Sequence, residues 1–194
     1  MKFEIFKLKS VTSTNDVAVN LIKENQKRIG CVCAEKQTQG RGTYGKEWIS
    51  EKGNLFLTIF FPLEKNYPPF NEFSIINSIL ISDVMKNFCK KTNINLKFPN
   101  DILINKKKVC GLLQETIIFD NKEFLIIGIG VNIISNPIIN EKYQATNILS
   151  ETKKKPKIKE IIDLIILSYE KFFVELNAYS YLSFKRRAES MAIQ

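Results

Sequence analysis

The stretch 37–48 carries the residues best suited to ligand chemistry, because it holds three glycines, two cations and the only tryptophan of the chain. Its glycines and cations are Gly40, Arg41, Gly42, Gly45 and Lys46. Glycine lets a main chain approach a ligand closely, and cations beside exposed N–H groups suit phosphate or carboxylate oxygens. The stretch therefore predicts an anion-binding loop in which Trp48 offers a flat surface to a ring. A Gly-rich hairpin with solvated charges is the alternative interpretation.

Two turns add polar side chains to this set. Ser13, Thr14 and Asn15 precede a helical pattern, where such residues are preferred as helix caps, and several hydroxyls at a helix start also anchor ligands well. Asn100 and Asp101 follow a proline and offer an amide and a carboxylate. A plain Pro-Asn-Asp turn explains this second cluster equally well.

Two later strands carry further candidate residues. Strict alternation in the first strand places Lys108, Cys110 and Leu112 on one face and Val109, Gly111 and Leu113 on the other. In the second strand, Gly128 and Gly130 share a face and leave a groove where something can lie against the sheet. Asn132 is the next residue on that face and is expected to reach into the groove.

The sequence contains no histidine, which excludes catalysis by Ser-His-Asp or Cys-His groups and any histidine metal site. Activation of a carboxylate by ATP needs no such base, because the carboxylate is already ionised near neutral pH. Catalysis then rests on positioning and on cancelling negative charge. Arg41, Lys46 and Lys108 would supply cations, with Mg²⁺ held by Asp101 or by the phosphates.

Alternating and helical hydrophobic patterns supply the elements that must position these side chains. They predict strands at 3–8, 30–35, 55–61 and 124–133, helices at 71–91 and 158–176, and a short basic helix in the final residues. Mixed strands with a few helices indicate an α+β fold with one sheet packed against helices.

The composition favours a globular protein without membrane-spanning segments. The chain has 194 residues, of which 44% are hydrophobic and 25% charged, typical of a globular domain. Four cysteines without CxxC spacing favour reduced thiols and a cytoplasmic location, and no apolar run is long enough for a membrane span. The net charge of +9 also permits a nucleic-acid binder, but most lysines are scattered.

Six motifs in this order resemble the biotin protein ligases. They are residues 13–15, 37–48, 97–101, 108–115, 128–132 and 145–148. The resemblance implies a fold like that of class II aminoacyl-tRNA synthetases and biotin ligases, with a mixed or antiparallel sheet. It also implies a ligase that uses biotin, ATP and Mg²⁺, forms biotinyl-5′-AMP, and transfers biotin to a lysine of a biotin carboxyl carrier domain such as that of acetyl-CoA carboxylase.

The resemblance assigns roles position by position. Lys108 and Arg41 become the catalytic residues, and Asp101 a Mg²⁺ ligand. Biotin would be bound by Ser13, Thr14, Asn15, Gln37, Gly40, Arg41, Gly42, Thr43, Lys108, Gly111 and Leu113. ATP would be bound by Arg41, Lys46, Trp48, Asn100, Asp101 and Asn132.

Three departures from the family pattern carry expectations. Thr43 stands where a basic residue is usual, so we expect faster leakage of the adenylate, which Thr43→Arg should slow. Phe98 replaces the usual tryptophan. We also expect residues 1–180 to form the catalytic domain and 181–194 a tail left from a small β domain, with no preceding DNA-binding domain and no DNA partner.

Two other functions stay open. A lipoate or octanoate ligase or transferase would have a related fold, and Lys108 beside Cys110 makes a thiol acyl carrier conceivable; those families, however, carry a histidine-containing motif that this chain lacks. A non-catalytic binder of biotin or nucleic acid would show salt-sensitive binding to DNA without ATP turnover. The resemblance is also compatible with a homodimer joined at sheet edges.

Overall fold

The computed structural model describes residues 1–137 and 144–193. Seven strands are present in these residues: β1 (Glu4–Val11), β2 (Gly30–Gln37), β3 (Leu55–Pro62), β4 (Ile94–Lys97), β5 (Asp101–Ile104), β6 (Lys107–Phe119) and β7 (Lys122–Val131). The α-helices are α1 (Thr14–Lys23), α2 (Phe73–Phe88), α3 (Ile148–Thr152), α4 (Ile158–Val174) and α5 (Tyr181–Met191). The strands and long helices predicted from hydrophobic periodicity are all found, with their ends shifted by a few residues.

All seven strands form one sheet in the order β1-β2-β3-β7-β6-β5-β4. Strands β1 and β2 run parallel, and every other neighbouring pair is antiparallel. Strand β3 lies third in this order and is buried along its whole length. The mixed sheet with packed helices confirms the predicted α+β class.

The two faces of the sheet are covered differently. Helices α2, α4 and α5 pack with one face in the large core, where the Phe61 ring lies 4.9 Å from that of Phe173. The opposite face carries α1, whose Ala18 and Ile22 pack on Val32 and Phe60. Because α1 covers only part of that face, the rest of it stays open for a pocket. Among the described residues, no helix combines the length and apolar character that a membrane crossing requires.

The segment expected to be a tail is a helix that packs on the domain. In α5, Ala188 is fully buried and Arg187 binds Asp83 of α2 at 2.6 Å. The N–H of Ile193 donates to the carbonyl of Leu96 in β4. The origin of this segment as a remnant of a β domain stays a prediction, and Gln194 lies outside the described residues.

A bulge in β6 overturns the predicted alternation around Lys108. Ile102 of β5 faces Cys110, but the next residue, Leu103, faces Lys108, so Val109 is an extra residue in β6. A bulge resets which side chains share a face. Lys108 therefore lies on the face of Gly111, while Cys110 points into the helix-covered core.

Candidate active site

The glycine stretch folds as a small hairpin above the open face of the sheet. Arg41 and Glu47 form an antiparallel bridge, and the N–H of Gly42 donates to the carbonyl of Lys46 at 2.7 Å. The tip residues Tyr44 and Gly45 have φ angles of 57° and 73°, a left-handed region that glycine enters without steric cost. The hairpin returns the chain toward the sheet, which brings Trp48 down onto it.

Trp48 fills the predicted groove between the strands. A Cβ atom on Gly111 or Gly130 would overlap the indole, so glycine is required at both positions for this close approach. The indole Nε1 is buried and has no hydrogen-bond partner among the described residues. The groove predicted from Gly128 and Gly130 is thus used by side chains of the protein itself, Trp48 on Gly130 and Asn15 on Gly128.

Lys108 is held beside Trp48 by an ion pair. Its Nζ lies 2.8 Å from Oδ1 of Asp101 and 5.5 Å from the indole centroid. The side chains of Lys108 and Asp101 are 22% and 8% exposed, so the pair is largely shielded from water. The main chain of Lys108 bonds to Gln144 and Thr146, which fixes the segment after the bulge.

A second polar cluster surrounds the start of α1. The N–H and hydroxyl of Thr14 both donate to Oε1 of Gln37, at 2.8 and 3.0 Å. The hydroxyl of the fully buried Thr58 donates to Oδ1 of Asn15 at 2.6 Å and lies 2.8 Å from the Thr14 oxygen. Ser13 caps α1 by accepting from the N–H of Asn15. These side chains are therefore fixed by protein contacts.

These parts line one cavity of about 280 Å³, close to the smaller pockets that bind organic ligands. The predicted residues on its wall are Ser13, Thr14, Asn15, Gln37, Arg41, Gly42, Thr43, Lys46, Trp48, Asn100, Asp101, Lys108, Gly111, Leu113 and Asn132. Gly40 is the exception, because it lies at the base of the hairpin and its carbonyl accepts from the N–H of Trp48. The structure thus brings the predicted side chains together, while their roles toward ligands stay predictions.

Asn100, Asn132 and Arg41 already have partners in the protein. Nδ2 of Asn100 donates to the carbonyl of Leu112 at 2.9 Å, and Nδ2 of Asn132 donates to that of Thr146 at 3.0 Å. The guanidinium of Arg41 is bound by the carboxylates of Asp16 and Glu115, a contact that no sequence motif indicated. Arg41 therefore does not direct a free positive charge into the cavity.

Several contributing residues were missed from sequence. Phe56, Leu57 and Ile129 line the cavity and belong to apolar strands. In such strands the sequence pattern does not distinguish a residue of the cavity wall from a residue of the core. Thr58 had a readable signal, since it is the only hydroxyl in β3. Glu115 is the last residue of the motif 108–115, and the resemblance assigned no role to it.

Cys110 lies outside the cavity that Lys108 lines. Burial raises the pKa of its thiol above the usual value, and nearby Lys108 offsets only part of that effect. A buried, protonated thiol is a poor nucleophile. The geometry therefore disfavours Cys110 as an acyl carrier.

No group of three or more acidic or thiol side chains that could hold a metal ion occurs within 1–137 and 144–193. Asp101 offers a carboxylate, but it is already paired with Lys108. Mg²⁺ commonly binds to one or two carboxylates together with substrate phosphates. Asp101 fits that limited contribution and not a preformed protein site.

The model of the biotin/lipoate A/B protein ligase family matches residues 7–132. The bifunctional ligase/repressor BirA of Bacillus subtilis is 29% identical over 194 residues, covering 94% of this chain and 58% of the relative. The chain thus spans little more than half the length of that relative.

Two solved structures share the fold closely. Biotin protein ligase from Aquifex aeolicus in complex with biotin and ATP is 28% identical with a TM-score of 0.81, covering 98% of this chain and 78% of that one. The enzyme from Leishmania major in complex with biotinyl-5-AMP is 26% identical with a TM-score of 0.84, covering 98% and 81%. The fold expected from the motifs is therefore confirmed.

Proposed function

Because the chain belongs to the biotin/lipoate A/B protein ligase family, we propose that it is an ATP-dependent biotin protein ligase. In the first step, a carboxylate oxygen of biotin attacks the α-phosphorus of ATP, and the bond to the leaving pyrophosphate breaks. In the second step, a lysine amine of a carrier domain attacks the acyl carbon of biotinyl-5′-AMP, and AMP leaves. Each step balances without an oxidant or a catalytic base from histidine.

One observation carries the proposal: a single cavity joins a polar cluster at α1 to a shielded cation at β6. At one end, Thr14 contacts Gln37 and also Thr58, which pairs with Gly128 in the sheet. At the other end, the Lys108 side chain lies beside Gly111, which pairs with Gly130. Two residues of a strand span about 7 Å. This spacing suits a ligand with a hydrogen-bonding ring at one end and a carboxylate at the other.

The residues present would contribute mainly through position and charge. Lys108 would contact the reacting carboxylate and the α-phosphate, where a fixed cation stabilises developing negative charge. Trp48 would border the nucleotide with its apolar face. Bound Mg²⁺ would neutralise phosphate charge, and the Asp101 carboxylate would assist in holding it.

The wider setting follows from the same proposal. The acceptor would be a biotin carboxyl carrier domain, for example that of acetyl-CoA carboxylase. A cytoplasmic location agrees with four cysteines that are all free thiols. The exposed edge of the sheet at β1 leaves room for a homodimer, whereas the edge at β4 is partly covered by Ala192 and Ile193.

The direct test is pyrophosphate release from MgATP with biotin, octanoate or lipoate as the only added acid. Release that depends on biotin, followed by labelling of a carrier lysine, would support the proposal. Release with octanoate or lipoate alone would move the assignment to the lipoyl branch of the family. A protein that binds biotin or DNA but releases no pyrophosphate would contradict any ligase assignment.

A further inference from the structure

A continuous chain of polar contacts links the sheet, α1 and the glycine hairpin through Glu115. Its members, in order of contact, are Thr58, Asn15, Glu115, Arg41 and Asp16. They come from β3, α1, β6 and the hairpin, which are four separate parts of the sequence. We propose that Glu115 is a positioning residue that latches the hairpin over the cavity, and that the Arg41 guanidinium binds this latch instead of a ligand anion.

The contacts of Arg41 carry the first step. Its Nη1 and Nη2 donate to the two carboxylate oxygens of Glu115 at 2.8 and 3.0 Å, and Nη2 also donates to Oδ1 of Asp16 at 2.8 Å. Two-point pairing of this kind fixes a guanidinium geometrically. One positive charge thus faces two negative charges, which offset its attraction for a ligand phosphate.

The contacts of Asn15 carry the second step. Its Nδ2 donates to Oε2 of Glu115 at 2.7 Å, while its Oδ1 accepts from Thr58. These two contacts also fix the orientation of the amide, which is only 2% exposed. Asn15 therefore links the buried Thr58 to Glu115, the residue that binds Arg41 of the hairpin.

Glu115 is placed for this task by the strand register. It pairs with Ile126 two positions beyond the pairing of Leu113 with Gly128, so its side chain emerges on the cavity face. Its carboxylate receives bonds from both α1 and the hairpin. A single exposed ion pair contributes little to stability, but this shared carboxylate holds the hairpin against α1.

The latch has a readout that needs no ligand, because Trp48 is the only tryptophan and follows Arg41 in the same hairpin. We would compare Glu115→Gln with wild type by acrylamide quenching of Trp48 and by the rate of tryptic cleavage after Arg41 and Lys46. Loss of the charged acceptor should raise both by about fivefold. Asp16→Asn should give a smaller increase in the same direction.

Glu4→Gln is the matched control, because Lys27 binds both oxygens of Glu4 at 3.1 and 2.9 Å on the surface away from the cavity. It should leave Trp48 quenching unchanged. Circular dichroism and thermal melting check that each variant is folded. Quenching in Glu115→Gln equal to that in Glu4→Gln would overturn the latch.

A double-mutant cycle separates the latch from a ligand-binding role, and only this part rests on the proposed function. Arg41→Gln should speed adenylate release and leave the KM for ATP unchanged, and the double variant with Glu115→Gln should be no worse than the worse single variant. A tenfold rise in the KM for ATP in the single variant Arg41→Gln would overturn the proposal that Arg41 binds Glu115 instead of a ligand anion. Absence of any biotin turnover would refute the proposed ligase activity. The quenching of Trp48 would still test the latch, because it needs no ligand.

Discussion

At the α1 end of the cavity, Thr14 and Gln37 are held by several hydrogen bonds to one another and to buried groups, whereas at the β6 end Lys108 is oriented chiefly by one carboxylate, Asp101. The first arrangement is redundant, so losing one contact leaves the others in place. The second arrangement depends on one charged group, the shielded ammonium of Lys108. Substitutions should therefore cause graded losses at the α1 end and a steep loss at the β6 end.

Replacing Lys108 should produce the largest effect. Lys108→Ala removes the fixed cation facing the reacting carboxylate and should lower biotin-dependent pyrophosphate release by roughly 10² to 10³-fold. Lys106→Ala is the control, since Lys106 is an exposed lysine of the preceding turn. A folded Lys108→Ala protein with activity near that of Lys106→Ala would remove the contrast between the two ends.

Substitution of the groove glycines, Gly128 and Gly130, tests whether the two ends of the cavity bind different substrates. Gly130→Ala should displace Trp48 and raise the KM for ATP roughly tenfold, while Gly128→Ala should displace Asn15 and raise the KM for biotin. Both constants are measured for both variants. Equal effects on one KM would mean that the ends are not separate subsites.

Thr58→Val should cause a moderate loss at the redundant end. It leaves Oδ1 of Asn15 without its buried donor, which costs about 1–3 kcal/mol in the free energy of unfolding. Urea titration measures the loss, and the KM for biotin should rise while that for ATP stays constant. Thr58→Ser keeps the hydroxyl and should retain the biotin KM; a larger rise in Ser than in Val would contradict the hydrogen-bonding role.

The smallest effect concerns Glu151, which supports the segment beside Lys108. Partial burial alone would raise the pKa of its carboxyl, but hydrogen bonds from Thr146, Asn105 and Lys107 outweigh burial and lower it. The lowered pKa stabilises the fold above the unfolded value of about 4.3, and this stabilisation is lost as pH falls through the folded pKa.

Glu151→Gln should therefore be less stable than wild type at pH 7, with the difference shrinking below about pH 4. Urea midpoints across that range measure the difference. Glu175→Gln, which alters an exposed pair on α4, should show no such pH dependence. A constant difference at every pH would show that the charge of Glu151 is not what stabilises this segment.

Much of the fold was readable because hydrophobic periodicity is local. The stripe from Ile158 predicted α4, and the apolar run from Leu55 predicted β3. The strict alternation around Lys108 was wrong because a bulge depends on pairing with β5, a neighbour that the pattern of β6 alone does not reveal. The bulge puts Lys108 on the face of Gly111 and leaves Cys110 in the core, outside the site.

The sequence by itself determined most of the polar residues that line the pocket, because ordered motifs of glycines, amides and cations are chemical features of the chain. Only the tertiary structure decided what those residues contact: Trp48 on Gly130, Asn15 between Thr58 and Glu115, and Arg41 bound by two carboxylates. These contacts join residues up to 100 positions apart. Such pairings arise from sheet register and helix packing, and neither is encoded in the spacing of a single motif.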